Sequence, residues 1–309
     1  MIMVSVCMFT YNHEKFIRHA LESVLMQKTS FDYEIIIGDD CSTDRTVSII
    51  KGIQALYPDR IKLIARKKNI GMTGNSYDVK SRATGKYLAI LEGDDYWTDV
   101  YKLQKQVDFL ENNNKCIAVV HRVCIVNERE FPLGDIIPSI EKYNYYATKK
   151  DIMEYQALLL HPAGLLYRNF MKNHIEEYQF LEHNQKNFGG HKLLVFLLFK
   201  LGKIYISNEI TAAYRLVKRQ TAFNAVSLAM QNEFFSECGK LDCVLYMKRY
   251  LKNYDFSDMI GLEFASLVIY MSNNQILNKR NIFIKYFLKL TPKEIYYFLV
   301  NLFKKLYFN

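Results

Sequence analysis

Three short polar clusters each follow a run of strand-forming apolar residues. Thr10-Tyr11-Asn12 follows Val4–Phe9, Asp39-Asp40-Cys41-Ser42-Thr43-Asp44 follows Glu34–Gly38, and Glu92-Gly93-Asp94-Asp95-Tyr96-Trp97 follows Tyr87–Leu91. Any one of them serves as a helix cap or Asx turn, because Asp, Asn, Ser and Thr favour those positions. Three on one sheet edge imply more, since clustered carboxylates repel unless a cation or a donor-rich ligand joins them. Their donors are all oxygens, which suits Mg²⁺ or Mn²⁺ rather than zinc.

The elements that must position these clusters alternate through the first 125 residues. Helical spacing in His13–Gln27, around Val47–Leu56, near Asn75–Ala83 and over Asp99–Asn112 separates strand-like runs. Those runs include Ile61–Ala65 and Ile117–Ile125 as well as the three above. Such βα alternation predicts an α/β fold, a mostly parallel sheet with flanking helices, whose ligand lies beyond the carboxyl ends of the strands. Residues 126–190 hold three of the five prolines and read as loops and short helices. Lys192–Leu201 reads as a buried helix, Lys203–Ile206 and Glu209–Tyr214 as short strands, and the pattern from about 220 onward as helical. The expected division is 1–125, 126–219 and 220–309.

At this point a family resemblance becomes specific. Val4–Asn12, Glu34–Thr46, Asn69–Asn75 and Ala83–Trp97, in that order and spacing, resemble a family 2 glycosyltransferase of the GT-A fold, of the bacterial surface-polysaccharide type. Leu91-Glu92-Gly93-Asp94-Asp95-Tyr96-Trp97 resembles the family's metal-binding DxD-type motif, with its sequel Thr98-Asp99, Lys102-Leu103 and Gln106. The resemblance implies a Rossmann-like nucleotide-sugar half in 1–125, an acceptor half in 126–219 and a helical C-terminal region. It implies that Thr10, Tyr11 and Asn12 line the base and ribose of a UDP-sugar. Asp40 would accept the uracil N3–H, a task for an acceptor-only group. Asp94 and Asp95 would hold Mn²⁺ or Mg²⁺ against the diphosphate, with Asp94 also near the ribose, and Arg82 would approach that diphosphate. His161 and Trp97 fall on the acceptor side, Trp97 as a packing anchor. The implied reaction is inverting transfer of a hexosyl or N-acetylhexosaminyl group to a glycan or lipid-linked glycan.

The chain also departs from the family pattern. Where relatives carry a catalytic Asp at a helix start, Gly189-Gly190-His191-Lys192 places His191. An imidazole with an ordinary pKa near 6.5 is a sound general base at neutral pH. Val217 stands where many relatives have a His, with Lys218 and Arg219 following it. These departures keep a non-catalytic nucleotide-sugar-binding homologue open. A sugar-nucleotide nucleotidyltransferase would need a Gly-rich basic phosphate loop after the first strand, which Thr10-Tyr11-Asn12-His13-Glu14 does not supply.

Composition excludes other classes. Of 309 residues, 50% are hydrophobic and 24% charged, which rules out a disordered chain. No apolar run reaches the ~18–20 residues of a spanning helix. Without a basic, apolar and small-residue leader pattern the protein is expected to be cytoplasmic. The six cysteines lack zinc or CxxC spacing and are expected to be reduced thiols. The net charge of +9 is concentrated: residues 279–309 carry seven Lys/Arg against Glu294 alone, which a uniformly basic nucleic-acid binder would not show. There Thr291-Pro292-Lys293-Glu294 reads as a capping box. Ile295, Leu299, Leu302, Phe303 and Leu306 follow at helical spacing. A basic amphipathic helix with aromatics suits an anionic membrane surface, implying a peripheral position on the inner face of the cell membrane. A homo-oligomer is the other partner the sequence leaves open.

Overall fold

Continuous apolar runs, rather than alternating ones, build the centre of the sheet. Strands β1 (Val4–Thr10) and β2 (Tyr33–Asp39) are buried at every position, and β4 (Tyr87–Glu92) at all but its last. That is the mark of strands covered on both faces. The computed structural model describes residues 2–139, 144–148, 151, 161–171, 190–217, 241–242, 244–245, 248–249, 255–273 and 280–307. The chain divides into two compact units, Met1–Lys186 with Gly190–Lys218, and Asn187–Gly189 with Arg219–Asn309.

In the first unit the strands run in the order β3-β2-β1-β4-β9-β6-β10-β5, where β3 is Ile61–Ala65, β5 Tyr96–Trp97, β6 Cys116–Asn127, β9 Leu165–Arg168 and β10 Lys203–Leu216; β7 (Pro132–Ile137) pairs with β6 and β8 (Tyr145–Tyr146) with β10, so strands lie where the sequence read loops and short helices. β3, β2, β1 and β4 are mutually parallel, so Thr10, Asp39, Ala65 and Glu92 end on one edge. β9 runs antiparallel between β4 and β6, and β10 is parallel to β6. Helices α1 (Ile17–Leu25), α2 (Thr46–Gln54), α3 (Gly71–Ser81) and α4 (Lys102–Asn112) bury apolar stripes such as Ile17, Ala20, Leu21 and Val24. Cys7 and Cys116 are buried free thiols, whereas Cys41 and Cys124 are partly exposed; Cys238 and Cys243 lie outside the described residues.

Several boundaries differ from the sequence reading, three of them with a clear local cause. α1 begins at Ile17 rather than His13, because residues 13–16 form a turn tied to α2 by the His13 amide donating to Thr46 Oγ1 at 2.9 Å. α3 begins at Gly71 rather than Asn75, with Asn69 Oδ1 accepting from the Gly71 amide at 3.0 Å. The two short strands expected after Gly202 are one, β10; the polar Ser207-Asn208-Glu209 is a register shift within it, a bulge rather than an end.

In the second unit the described helices are α6 (Ser257–Asn273), α7 (Arg280–Phe287) and α8 (Pro292–Tyr307), with α5 (Gly190–Leu201) belonging to the first. The capping box forms: the Thr291 amide donates to Glu294 Oε2 at 2.6 Å, and the Glu294 amide to Thr291 Oγ1 at 3.4 Å. Glu294 is fully buried and paired with Lys248 at 2.7 Å. Phe298 packs its ring 4.8 Å from that of Phe264. The stripe read from the sequence is therefore not the buried one: Leu299, Phe303 and Leu306 are exposed, because the face against α6 is set by Phe298 and the buried Glu294.

Candidate active site

The carboxyl edge of β1, β2 and β4 brings the three polar clusters together. Register places Thr10 beside Asp39, and Phe9 beside Glu92. Past β1, Asn12 has φ +56° and its Oδ1 accepts from the Thr43 amide at 2.9 Å; past β2, Cys41 has φ +67°. Left-handed backbone in non-glycine residues costs on the order of 1 kcal/mol or more, and both cases sit at this edge. Asp39 spends its oxygens on the Ser42 amide and hydroxyl. Asp40 is buried; its amide donates to the Thr10 carbonyl at 3.0 Å, and its Oδ1 accepts from the Ile70 amide at 2.8 Å. Tyr11 is exposed beside them.

After β4 the chain turns sharply. The Gly93 amide donates to the Phe9 carbonyl at 2.8 Å. A Cβ on Gly93 would stand 2.8 Å from both Thr10 Oγ1 and His13 Nδ1, so only glycine passes. His13 Nε2 lies 3.6 Å from Asp94 Oδ2. Asp95 is buried, its Oδ1 accepting the Arg215 amide at 3.0 Å, while its Oδ2 has no hydrogen-bond partner among the described residues. Burial, then the neighbouring Asp94 and Glu92 carboxylates, push the Asp95 carboxyl well above the usual carboxylate range. The same burial and the same three carboxylates push the Tyr214 phenol up to about 12.

Asp94 and Asp95 are held there by β10. β5 pairs antiparallel with it, Trp97 against Ala212 and Tyr96 against Ala213. The Arg215 guanidinium, sandwiched 4.7 and 5.1 Å from the rings of Phe16 and Tyr96, donates to the Asp94 carbonyl at 2.8 Å and to Glu130 Oε1 at 3.1 Å. Trp97 is buried, and its Nε1 donates to the Ala163 carbonyl at 3.0 Å. Gln106, which accepts from the fully buried Lys102 at 2.7 Å, donates to the Gly164 carbonyl at 2.8 Å. Burial lowers the Lys102 amine to about 7, and its Nζ lies 4.4 Å from the Trp97 ring centre. These bonds fix the turn at Pro162–Gly164, capped by His161, whose ring lies 4.6 Å from that of Tyr214.

Thr10, Tyr11, Asn12, Asp40, Asp94 and Asp95 thus share one edge, with His161 near it through Tyr214. Trp97 is inside the fold, so it anchors the His161 turn rather than touching an acceptor. Arg82 is ion-paired to α3. It follows α3, before β4, and its Nε sits 3.1 Å from both Asp78 oxygens. That carboxylate is the one Arg66 also holds. Besides Arg215, the topology brings Arg66, just past β3, toward this edge. Its amide donates to the Asp39 carbonyl at 3.1 Å and its guanidinium holds Asn75 Oδ1 at 3.0 Å and Asp78 at 2.7 Å. His191 is the second residue of α5; its side chain, with Lys218 and Arg219, lies outside the described residues.

Sequence reasoning gave no role to His13, Arg66 or Tyr214, and the Gly93 cradle is the signal that finds His13. Among the described residues no three His, Cys, Asp or Glu side chains form a ready-made metal cage. Mg²⁺ or Mn²⁺ sites completed by substrate phosphates need only one or two carboxylates. The buried, unpartnered Asp95 Oδ2 beside Asp94 fits such a site.

Comparison with known proteins agrees with this geometry. A family model described as glycosyl transferase family 2 matches residues 5–174. An uncharacterized protein of Mycobacterium tuberculosis is 44% identical over 134 residues, 42% of this chain and 39% of that protein. A Bacillus subtilis protein provisionally named teichuronic acid biosynthesis glycosyltransferase, TuaG, is 32% identical over 143 residues, 46% of this chain and 55% of its own. The chain thus spans between 39% and 55% of the length of these two relatives. Staphylococcus aureus TarS, solved with UDP-GlcNAc, is similar over 98% of this chain and 91% of its own, with TM-score 0.57 at 15% identity. At that identity the likeness establishes the fold.

Proposed function

This chain belongs to glycosyl transferase family 2, and from that premise we propose that it moves a hexosyl or N-acetylhexosaminyl group from a UDP-sugar, with inversion, to a glycan or lipid-linked glycan at an anionic membrane surface. The observation that carries the reading is the buried Asp95, with one carboxylate oxygen unpartnered, next to Asp94 and across the sheet edge from Asp40. The TarS complex with UDP-GlcNAc supports a UDP-sugar as donor.

In this reading Thr10, Tyr11 and Asn12 line the base and ribose, and Asp40 accepts the uracil N3–H, its Oδ1 already oriented by the Ile70 amide. Asp94 and Asp95 would hold Mn²⁺ or Mg²⁺, which when bound neutralises charge on the departing diphosphate. Arg215 and Gly93 keep both carboxylates in place without touching substrate. The acceptor hydroxyl attacks the anomeric carbon as the bond to the diphosphate oxygen breaks, and its proton passes to His191. His161 borders the acceptor.

The test is calorimetry of UDP, GDP, CDP and TDP with and without Mn²⁺. The expected result is Mn²⁺-dependent binding of UDP in preference to the other three. A folded protein that binds none of them contradicts the reading.

A further inference from the structure

Helix α8 has two apolar faces, one packed on α6 and the other more than half exposed. Its inner face packs on α6 through Phe298, and Lys305 Nζ reaches Ser266 Oγ there at 3.0 Å. A helix packed this way ordinarily turns charged residues outward. Here the outward stripe is Tyr296, Leu299, Phe303 and Leu306, spaced three, four and three residues apart, each between 55% and 62% exposed. The turn preceding α8 adds Leu288, 79% exposed.

The surroundings of the stripe are basic. Residues 280–307 contain six Lys/Arg and a single acid, Glu294, which is buried and paired with Lys248. Lys285, Lys289 and Lys304 are exposed. This charge opposes pairing with a second copy of the same face and favours an anionic surface. No described helix is long and apolar enough to cross a membrane. A stripe of this kind lies in the headgroup boundary, with tyrosine at the wet margin and lysines against anionic lipid.

We propose that the outer stripe of α8, with the basic α7–α8 turn, docks side-on into a bilayer containing anionic phospholipid. The proposal rests on the reading of a membrane-presented acceptor and adds the surface that would meet it.

The test is co-sedimentation of the full chain with vesicles of phosphatidylcholine alone or with about a third phosphatidylglycerol, at about 0.15 M salt. Binding is expected only with phosphatidylglycerol. The double variant Leu299→Ser/Phe303→Ser, both positions exposed, is expected to bind at least about tenfold more weakly, and Lys285→Glu/Lys289→Glu at least about 30-fold more weakly. UDP calorimetry on the same preparations keeps the two readings apart: variants that bind UDP normally but lose vesicles support the docking face whatever the acceptor. Equal binding to both vesicle types, no binding to either, or unchanged binding by the apolar variant overturns the proposal. So does a wild-type dimer that Phe303→Ser returns to monomer without any vesicle binding.

Discussion

Glu34→Gln is predicted to cost stability without touching donor binding. Glu34 is buried near the start of β2, at the end of the sheet opposite the carboxylate cluster, and it ties four segments together. Its Oε1 accepts from Ser5 Oγ at 2.6 Å and from the Thr84 amide and hydroxyl at 2.9 and 2.6 Å, and its Oε2 accepts from Lys62 Nζ at 2.7 Å. Burial alone would raise its pKa, but the donors from Lys62, Ser5 and Thr84 outweigh it and hold the carboxyl at about 2, against an ordinary 4.5. At about 1.36 kcal/mol per pH unit that difference is worth roughly 3 kcal/mol. The Lys62 ammonium is more than half exposed, and solvent screening reduces the figure to ~2 kcal/mol. Because the folded pKa lies below the unfolded one, this stability is complete above about pH 5 and is lost as the pH falls through about 2. Glutamine keeps the shape but turns an amide donor toward Lys62. The assay is thermal unfolding from about pH 7 down to pH 3, with UDP calorimetry alongside. The variant should melt about 4–8 °C lower at neutral pH, and the gap should narrow as the wild type approaches pH 3. An unchanged melting temperature, or a gap constant with pH, would refute the assignment of Glu34 as a charged staple.

Other perturbations separate the parts of the site. Gly93→Ala forces a methyl to within 2.8 Å of Thr10 Oγ1 and His13 Nδ1; overpacking of about 1–3 kcal/mol should lower the melting temperature and weaken UDP binding at least about tenfold, both read directly. Trp97→Phe leaves the buried Ala163 carbonyl without its donor, a cost of about 1–3 kcal/mol. It should raise the acceptor KM while leaving the UDP affinity measured by calorimetry unchanged. His191→Ala should slow transfer by about 10²–10⁴ with UDP binding intact, and a wild-type rate would remove His191 as the base.

The first half of the fold was legible because its signals were local and agreed with one another. Buried parallel strands need unbroken apolar runs, so β1, β2 and β4 stood out, and the polar clusters at their ends marked the site. Partner choice across the sheet was not legible. Nothing in Tyr96-Trp97 says that it will pair with Ala212-Ala213, and that pairing is what delivers Arg215 to Asp94 and Asp95. The pairing of Arg82 with Asp78, which Arg66 also holds, was equally out of reach, because it depends on β3 and α3 coming together. On α8 the periodicity was plain, but two apolar faces share it, and only packing against α6 decides which one is buried.

The central claim is that Asp94 and Asp95 hold a divalent cation together with a nucleoside diphosphate. Electron paramagnetic resonance of Mn²⁺ tests it most directly, because the free ion's signal falls on binding. The signal should fall when wild-type protein and UDP are both present, fall little with either alone, and remain in Asp95→Asn with UDP. An undiminished signal with folded wild-type protein and UDP, or an equal loss in Asp95→Asn, would contradict the account.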